Sequence, residues 1–135
     1  MALMNWDRSF SIGVRAMDDQ HKGLVQALND LHAAMIKGQT KESTSILLAR
    51  LTKYTVDHFT AEEALMKRTQ YPGLANHHVL HVDLTKQVRQ FAERYERGEI
   101  ALSVHLMDFL RNWLTNHIQK EDRDYGPWLN RCGVV

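Results

Sequence analysis

Eight histidines stand in a chain of 135 residues, and their spacing relative to one another and to nearby carboxylates is that of metal ligands. Imidazole nitrogen and carboxylate oxygen together suit iron, zinc or copper. His58 and Glu62 are four residues apart, as are His77 and His81. On a helix that is about one turn, so each pair shares a face and can grip one metal centre. His117 and Asp122 are five apart. Five residues are about 500° of helix, which leaves Asp122 roughly 140° away from His117. If both are ligands, the backbone between Ile118 and Glu121 must depart from the regular form, and an irregular hydrogen-bond pattern is expected near Gln119 to Asp122. Cys132 is the only cysteine. It excludes an internal disulfide, and the absence of core cysteines argues against a structural zinc site.

The elements that carry these residues are helical. A first helix is expected from Asp18 or Asp19 to about Lys37, stopping at Gly38, and a second from about Lys41 to Arg68, ended by Tyr71-Pro72-Gly73. A third spans about Leu74 to Arg97 and ends at Gly98. The last covers about Ala101 to Arg123, with Gly126-Pro127 closing it. Residues 1–17 mix Trp6, Phe10, Ile12 and Gly13 and read as an irregular arm that packs its aromatics. The connections are short and force antiparallel neighbours. The expectation is one all-α domain over residues 1–135: an up-down-up-down antiparallel four-helix bundle at about residues 18–123, with the arm before it and a short C-terminal tail after.

Each helix has an apolar stripe in steps of three and four, the faces that bundle helices turn toward one another. The stripes read Met17, His21, Leu24, Leu28, Leu31, Met35; then Leu47, Leu51, Tyr54, His58, with Ala61 and Leu65 beyond and Glu62 on the same edge; then Leu74, His77, His81, Leu84, Val88, Phe91, Tyr95; and Leu106, Leu110, Trp113, His117. Five histidines therefore sit inside core stripes, distributed over all four helices. Burying five imidazoles without partners would cost about 2–7 kcal/mol each. His32, His78 and His105 lie one residue off the stripes and are read as surface residues. In an antiparallel bundle the start of the first helix, the end of the second, the start of the third and the end of the fourth meet at one end, so His21, His58, His77, His81 and His117 converge on one layer. Glu62 and Asp122 join them, while Glu63, Glu121 and Asp124 are expected to be solvated. Seven ligands are too many for one ion. Two six-coordinate irons offer twelve positions, and five imidazoles, two bridging carboxylates and a bridging oxo or hydroxo group fill all but one. A single vacancy suits a carrier rather than a general oxygenase.

The residues His21, His58-Phe59-Thr60-Ala61-Glu62-Glu63, His77 to His81, and His117-Ile118 to Asp122 are very similar to the hemerythrin pattern, with every ligand position filled. Asp18-Asp19-Gln20-His21-Lys22-Gly23-Leu24 and the Met66 to Tyr71-Pro72 turn also resemble the single-domain bacterial branch of that family. The resemblance implies a non-haem di-iron centre that binds dioxygen reversibly. It places His77, His81 and His117 on the coordinatively full iron, His21 and His58 on the iron with the vacancy, and Glu62 and Asp122 as bridges. Leu24, Phe59, Trp113, Leu114 and Ile118 lie within a few residues of these histidines or a turn away, and can make a dry oxygen pocket that protons and anions enter poorly.

Other classes fit less well. Lys+Arg 17 against Asp+Glu 16 gives no basic face for nucleic acid. No run of about 18 apolar residues could span a membrane. Met1 to Phe10 lacks the apolar stretch of a signal peptide, and with the single cysteine the expected location is the cytoplasm. A di-iron oxidase or peroxidase would use carboxylate-rich Glu-x-x-His pairs. A sensing module would carry its signal to a partner surface through a fused signalling domain. The expected role is therefore non-enzymatic: oxygen transport, storage or delivery, with dioxygen as ligand and an oxygen-consuming enzyme as partner in the delivery case.

Overall fold

A computed structural model describes residues 2–135. Its elements are a 3-10 turn at Arg8–Phe10, α1 at Arg15–Ile36, α2 at Lys41–Arg68, α3 at Leu74–Glu96, α4 at Val104–Asn116, a π-helical turn at His117–Asp122, and α5 at Arg123–Arg131. No strand occurs among the described residues. α4, the π turn and α5 follow without a break and form the fourth rod of the bundle. α1 packs on α2 and α4, and α2 packs on α3.

Local chemistry explains where the helices begin. Thr40 caps α2 by accepting from the Ser43 amide, and Ser103 caps α4 by accepting from the Leu106 amide. The fourth rod therefore starts at Val104, three residues later than Ala101. α1 starts at Arg15, earlier than Asp18, because the Asp18 carboxylate does not cap its own helix. It reaches back to the arm, accepting from the Ile12 amide at 2.9 Å and the Ser11 hydroxyl at 2.6 Å. Gly126-Pro127 does not close the fourth rod, which runs on to Arg131. Gly126 is there for contact: a Cβ on it would lie 2.2 Å from the Ile12 carbonyl oxygen, so only glycine lets the arm cross so closely.

The core falls into two apolar clusters. The larger is built from Leu24, Leu28, Leu31, Leu48, Leu51, Val88, Phe91, Leu110, Leu114 and their neighbours. The smaller holds Ile12, Val14, Met17, Met66, Tyr125 and Leu129. Along the rods, His21 sits between Met17 and Leu24, Glu62 between Phe59 and Met66, and Asp122 between Ile118 and Tyr125, so a polar layer separates the clusters. The stripe of α2 is rotated slightly from the expected one. Thr44, Leu48, Leu51, Thr55, His58, Glu62 and Met66 are buried, while Leu47, Tyr54, Ala61 and Leu65 flank them.

Candidate metal centre

Seven polar side chains meet in that layer. His21, His58, Glu62, His77, His81, His117 and Asp122 are all buried, none more than 5% exposed. α1 supplies His21, α2 supplies His58 and Glu62, α3 supplies His77 and His81, and the π turn supplies His117 and Asp122. Their ligand atoms form two groups, each with all atoms within 4.8 Å of one another: Glu62, His77, His81, His117 and Asp122 in one, and His21, His58, Glu62 and Asp122 in the other. The two carboxylates are common to both.

The π turn resolves the five-residue spacing of His117 and Asp122. The wider turn brings Asp122 round to the imidazole faces, with its oxygens 3.0 Å from His77 Nε2, 3.0 Å from His117 Nε2 and 2.8 Å from His21 Nε2. Glu121, four residues after His117, stays in line with that histidine and bonds its other nitrogen, His117 Nδ1, at 2.8 Å.

The inward atoms are poorly served by one another. Glu62 Oε1 lies 2.8 Å from His58 Nε2, 3.5 Å from His81 Nε2 and 3.6 Å from His117 Nε2. Even so, Glu62 Oε1, Asp122 Oδ2 and the Nε2 atoms of His21, His58, His81 and His117 have no aligned hydrogen-bond partner among the described residues. Buried polar atoms are normally paired. So many orphans aimed at one centre fit cations, and the donor set of imidazoles with shared carboxylates fits a pair of them. The electrostatics agree. Burial works against a charged His58, but attraction to the Glu62 and Asp122 carboxylates close to its Nε2 outweighs it and carries the imidazole up to about 9. His117 is raised in the same way against burial, by attraction to the Asp122 carboxylate and by the Glu121 carboxylate that accepts from its Nδ1. Glu62 and Asp122 are held well below the usual carboxylate range despite burial, by the histidines around them. The two carboxylates make this a focus of negative potential, which favours cations.

A second set of contacts lies behind the first. His81 Nδ1 bonds Glu63 at 2.8 Å, and His58 Nδ1 bonds the Gln20 side-chain oxygen at 2.6 Å. Tyr125, fully buried, donates to Glu62 Oε2; burial and the two nearby carboxylates push its phenol up, so it keeps its proton. Glu63 and Glu121 are therefore not solvated as expected, though Asp124 is exposed. The four-residue step from His117 to Glu121 could have revealed one of them; the Glu63 contact crosses between helices and left no such signal. His78 and His105 are exposed, as expected, but His78 bonds the other oxygen of Glu63. His32 is half-buried, and its Nδ1 lacks a partner among the described residues.

Leu24, Phe59, Trp113, Leu114 and Ile118 all belong to the larger apolar cluster beside the layer. The Phe59 ring, expected beside His58, stacks on His81 with centroids 3.9 Å apart and stands edge-on to His117. It is a wall of the five-residue group as much as of the other.

The sequence matches the family described as Hemerythrin HHE cation binding domain over residues 12–129. The chain belongs to the hemerythrin family. It is 36% identical to a bacteriohemerythrin of Methylococcus capsulatus, over 96% of this chain and 99% of the relative, and 34% identical to one of Stenotrophomonas maltophilia, over 93% and 80%. A myohemerythrin of Theromyzon tessulatum is 31% identical over 89% of this chain and 88% of its own. The crystal structure of a wild-type hemerythrin superposes with a TM-score of 0.89 at 34% identity, covering 95% of this chain and 98% of that one. No helix among the described residues is long and apolar enough to cross a membrane.

Proposed function

We propose that this hemerythrin binds dioxygen reversibly at a non-haem di-iron centre, acting as a carrier, store or delivery protein in the cytoplasm and not as an enzyme. The observation that carries this reading is the convergence of buried, unpaired imidazole and carboxylate atoms into two groups sharing Glu62 and Asp122. His77, His81 and His117 would hold one iron and His21 and His58 the other, with Glu62 and Asp122 shared between the two. When bound, a ferrous pair supplies two electrons for reversible dioxygen uptake.

The protein's part is to orient and to exclude. The π turn aims His117 and Asp122 at one centre. Tyr125 holds Glu62 from outside, and Gln20, Glu63 and Glu121 fix the ring planes and tautomers of His58, His81 and His117 by accepting a hydrogen bond from Nδ1–H. Leu24, Leu114 and Ile118, all with no exposed surface, and Phe59 and Trp113 at 3% and 7% exposed, line the oxygen side and keep water out. The Trp113 indole N–H within that lining has no partner among the described residues.

The test is an iron count on purified protein, with visible spectra before and after air is admitted to the reduced, oxygen-free sample and again after oxygen is removed. About two irons per chain, no haem, and a spectral change that reverses are expected. One zinc and no iron in protein made in iron-replete cells, or a change that does not reverse, overturns the reading.

A further inference from the structure

The contacts behind the imidazoles are lopsided. In the five-residue group, His81 Nδ1 rests on the Glu63 carboxylate and His117 Nδ1 on the Glu121 carboxylate, each at 2.8 Å. In the four-residue group, His58 Nδ1 rests on the neutral amide of Gln20, and His21 Nδ1 has no partner among the described residues. Two anionic supports therefore stand behind one metal position and none behind the other. The geometry is enforced. The flat stacking of Phe59 on His81 sets that ring's plane, and the four-residue step within the π turn keeps Glu121 on the outer side of His117. Glu63 is pinned from its far side by His78. Both carboxylates are about three-quarters covered, with 25% and 28% of their side-chain surface exposed, so water screens them only partly.

An imidazole that binds metal through Nε2 carries its proton on Nδ1. A carboxylate accepting that proton leaves more electron density on Nε2 than an amide does, and outer partners of this kind typically change metal affinity 10–100-fold. We infer that Glu63 and Glu121 make the His77–His81–His117 position the tighter and more electron-donating of the two, so that it fills first and empties last, while Gln20 keeps the His21–His58 position the weaker. This rests on the two-metal reading above. It makes Glu63, Glu121 and Gln20 positioning residues that widen, before any dioxygen arrives, the inequality that three imidazoles against two already set. They would also hold the tighter-bound iron at the lower reduction potential, since anionic support favours the ferric state.

Calorimetric titration of metal-free protein with cobalt(II) tests this without reference to oxygen. The wild-type chain should bind two ions in two unequal steps. Glu63→Gln and Glu121→Gln should each weaken the tighter step about 10–100-fold and leave the weaker one within about twofold, and Glu121→Asp should restore part of the loss. Gln20→Glu, which adds a carboxylate behind His58, should strengthen the weaker step and narrow the gap. Iron-loaded Glu63→Gln should also show a raised midpoint potential, which a purely structural role would not produce. Two ions bound with steps unmoved by these substitutions, or the weaker step moved by Glu63→Gln, overturn the inference and leave the di-iron reading standing. A chain that takes up no second ion overturns both.

Discussion

Several side chains here act in pairs, one facing the centre and one behind it, as His58 with Gln20, His81 with Glu63 and His117 with Glu121. Tyr125 is the clearest case, since its hydroxyl is the sole hydrogen-bond partner of either Glu62 oxygen among the described residues. Tyr125→Phe keeps the ring that packs edge-on against His77 at 5.4 Å but removes the donor. Leaving that buried acceptor unpaired should destabilise the metal-free protein by about 1–3 kcal/mol, measured by urea unfolding. No loss would mean that the oxygen finds another partner. Leu114 has no exposed surface and borders His117 in sequence. Leu114→Ala should destabilise the fold by about 2–5 kcal/mol and open the lining. Oxidation of the oxygenated protein to the ferric form should then be faster, followed as the decay of its visible band. An unchanged rate in a folded variant removes Leu114 from the lining.

Among the elements, the fourth rod decides the site. A regular helix would set Asp122 and His117 about 140° apart. The π turn spends one extra residue so that Glu121 meets the outer nitrogen of His117 while Asp122 meets the inner one. Deleting exposed Lys120 should return the segment to α-helix with Asp122 still inward, now four residues from His117, and Glu121 turned away. Two irons should remain bound, but a chelator should extract them faster. Loss of iron altogether would show that the π turn itself, and not the spacing, presents Asp122. The junction with the arm depends on Gly126. Gly126→Ala drives a Cβ to within 2.2 Å of the Ile12 carbonyl oxygen, a backbone atom that can yield only if the arm moves. The expected loss is about 1–3 kcal/mol in thermal unfolding, with earlier proteolytic cleavage of residues 2–14.

For the whole molecule, the polar layer between two apolar clusters ties stability to metal and to pH. In the metal-free protein His58 is raised from 6.5 to about 9. Its contribution is therefore complete below about pH 6.5 and lost as pH rises through about 9. Glu62 and Asp122 are depressed, so theirs is present above the ordinary carboxylate range and lost only as pH falls through their lowered values. Metal must displace the imidazole protons. Metal uptake should accordingly release protons at neutral pH and strengthen from pH 6 to 9, over the range in which the metal-free protein weakens. Titration in buffers of different ionisation enthalpy measures the release. Uptake without proton release would show that the imidazoles are neutral beforehand.

The positions of His21, His58, His77, His81 and His117 within stripes of three and four residues were enough to place five imidazoles in one layer. Periodicity on a helix dictates which face is buried, and short antiparallel connections dictate which ends meet. The misfit of His117 with Asp122 was equally legible, because it is arithmetic on one helix, and it located the irregular turn. Other features depended on contacts between elements, which periodicity does not encode. Asp18 turns from its own helix to the arm, Gly126 admits the Ile12 carbonyl, Phe59 lies on His81, and Glu63 reaches across from α2 to α3. A carboxylate near a helix surface has the same local signature whether it meets water or the back of an imidazole. Only the packing of the rods, which fixes their rotation and separation, distinguishes the two, and with them the inequality of the two halves of the site.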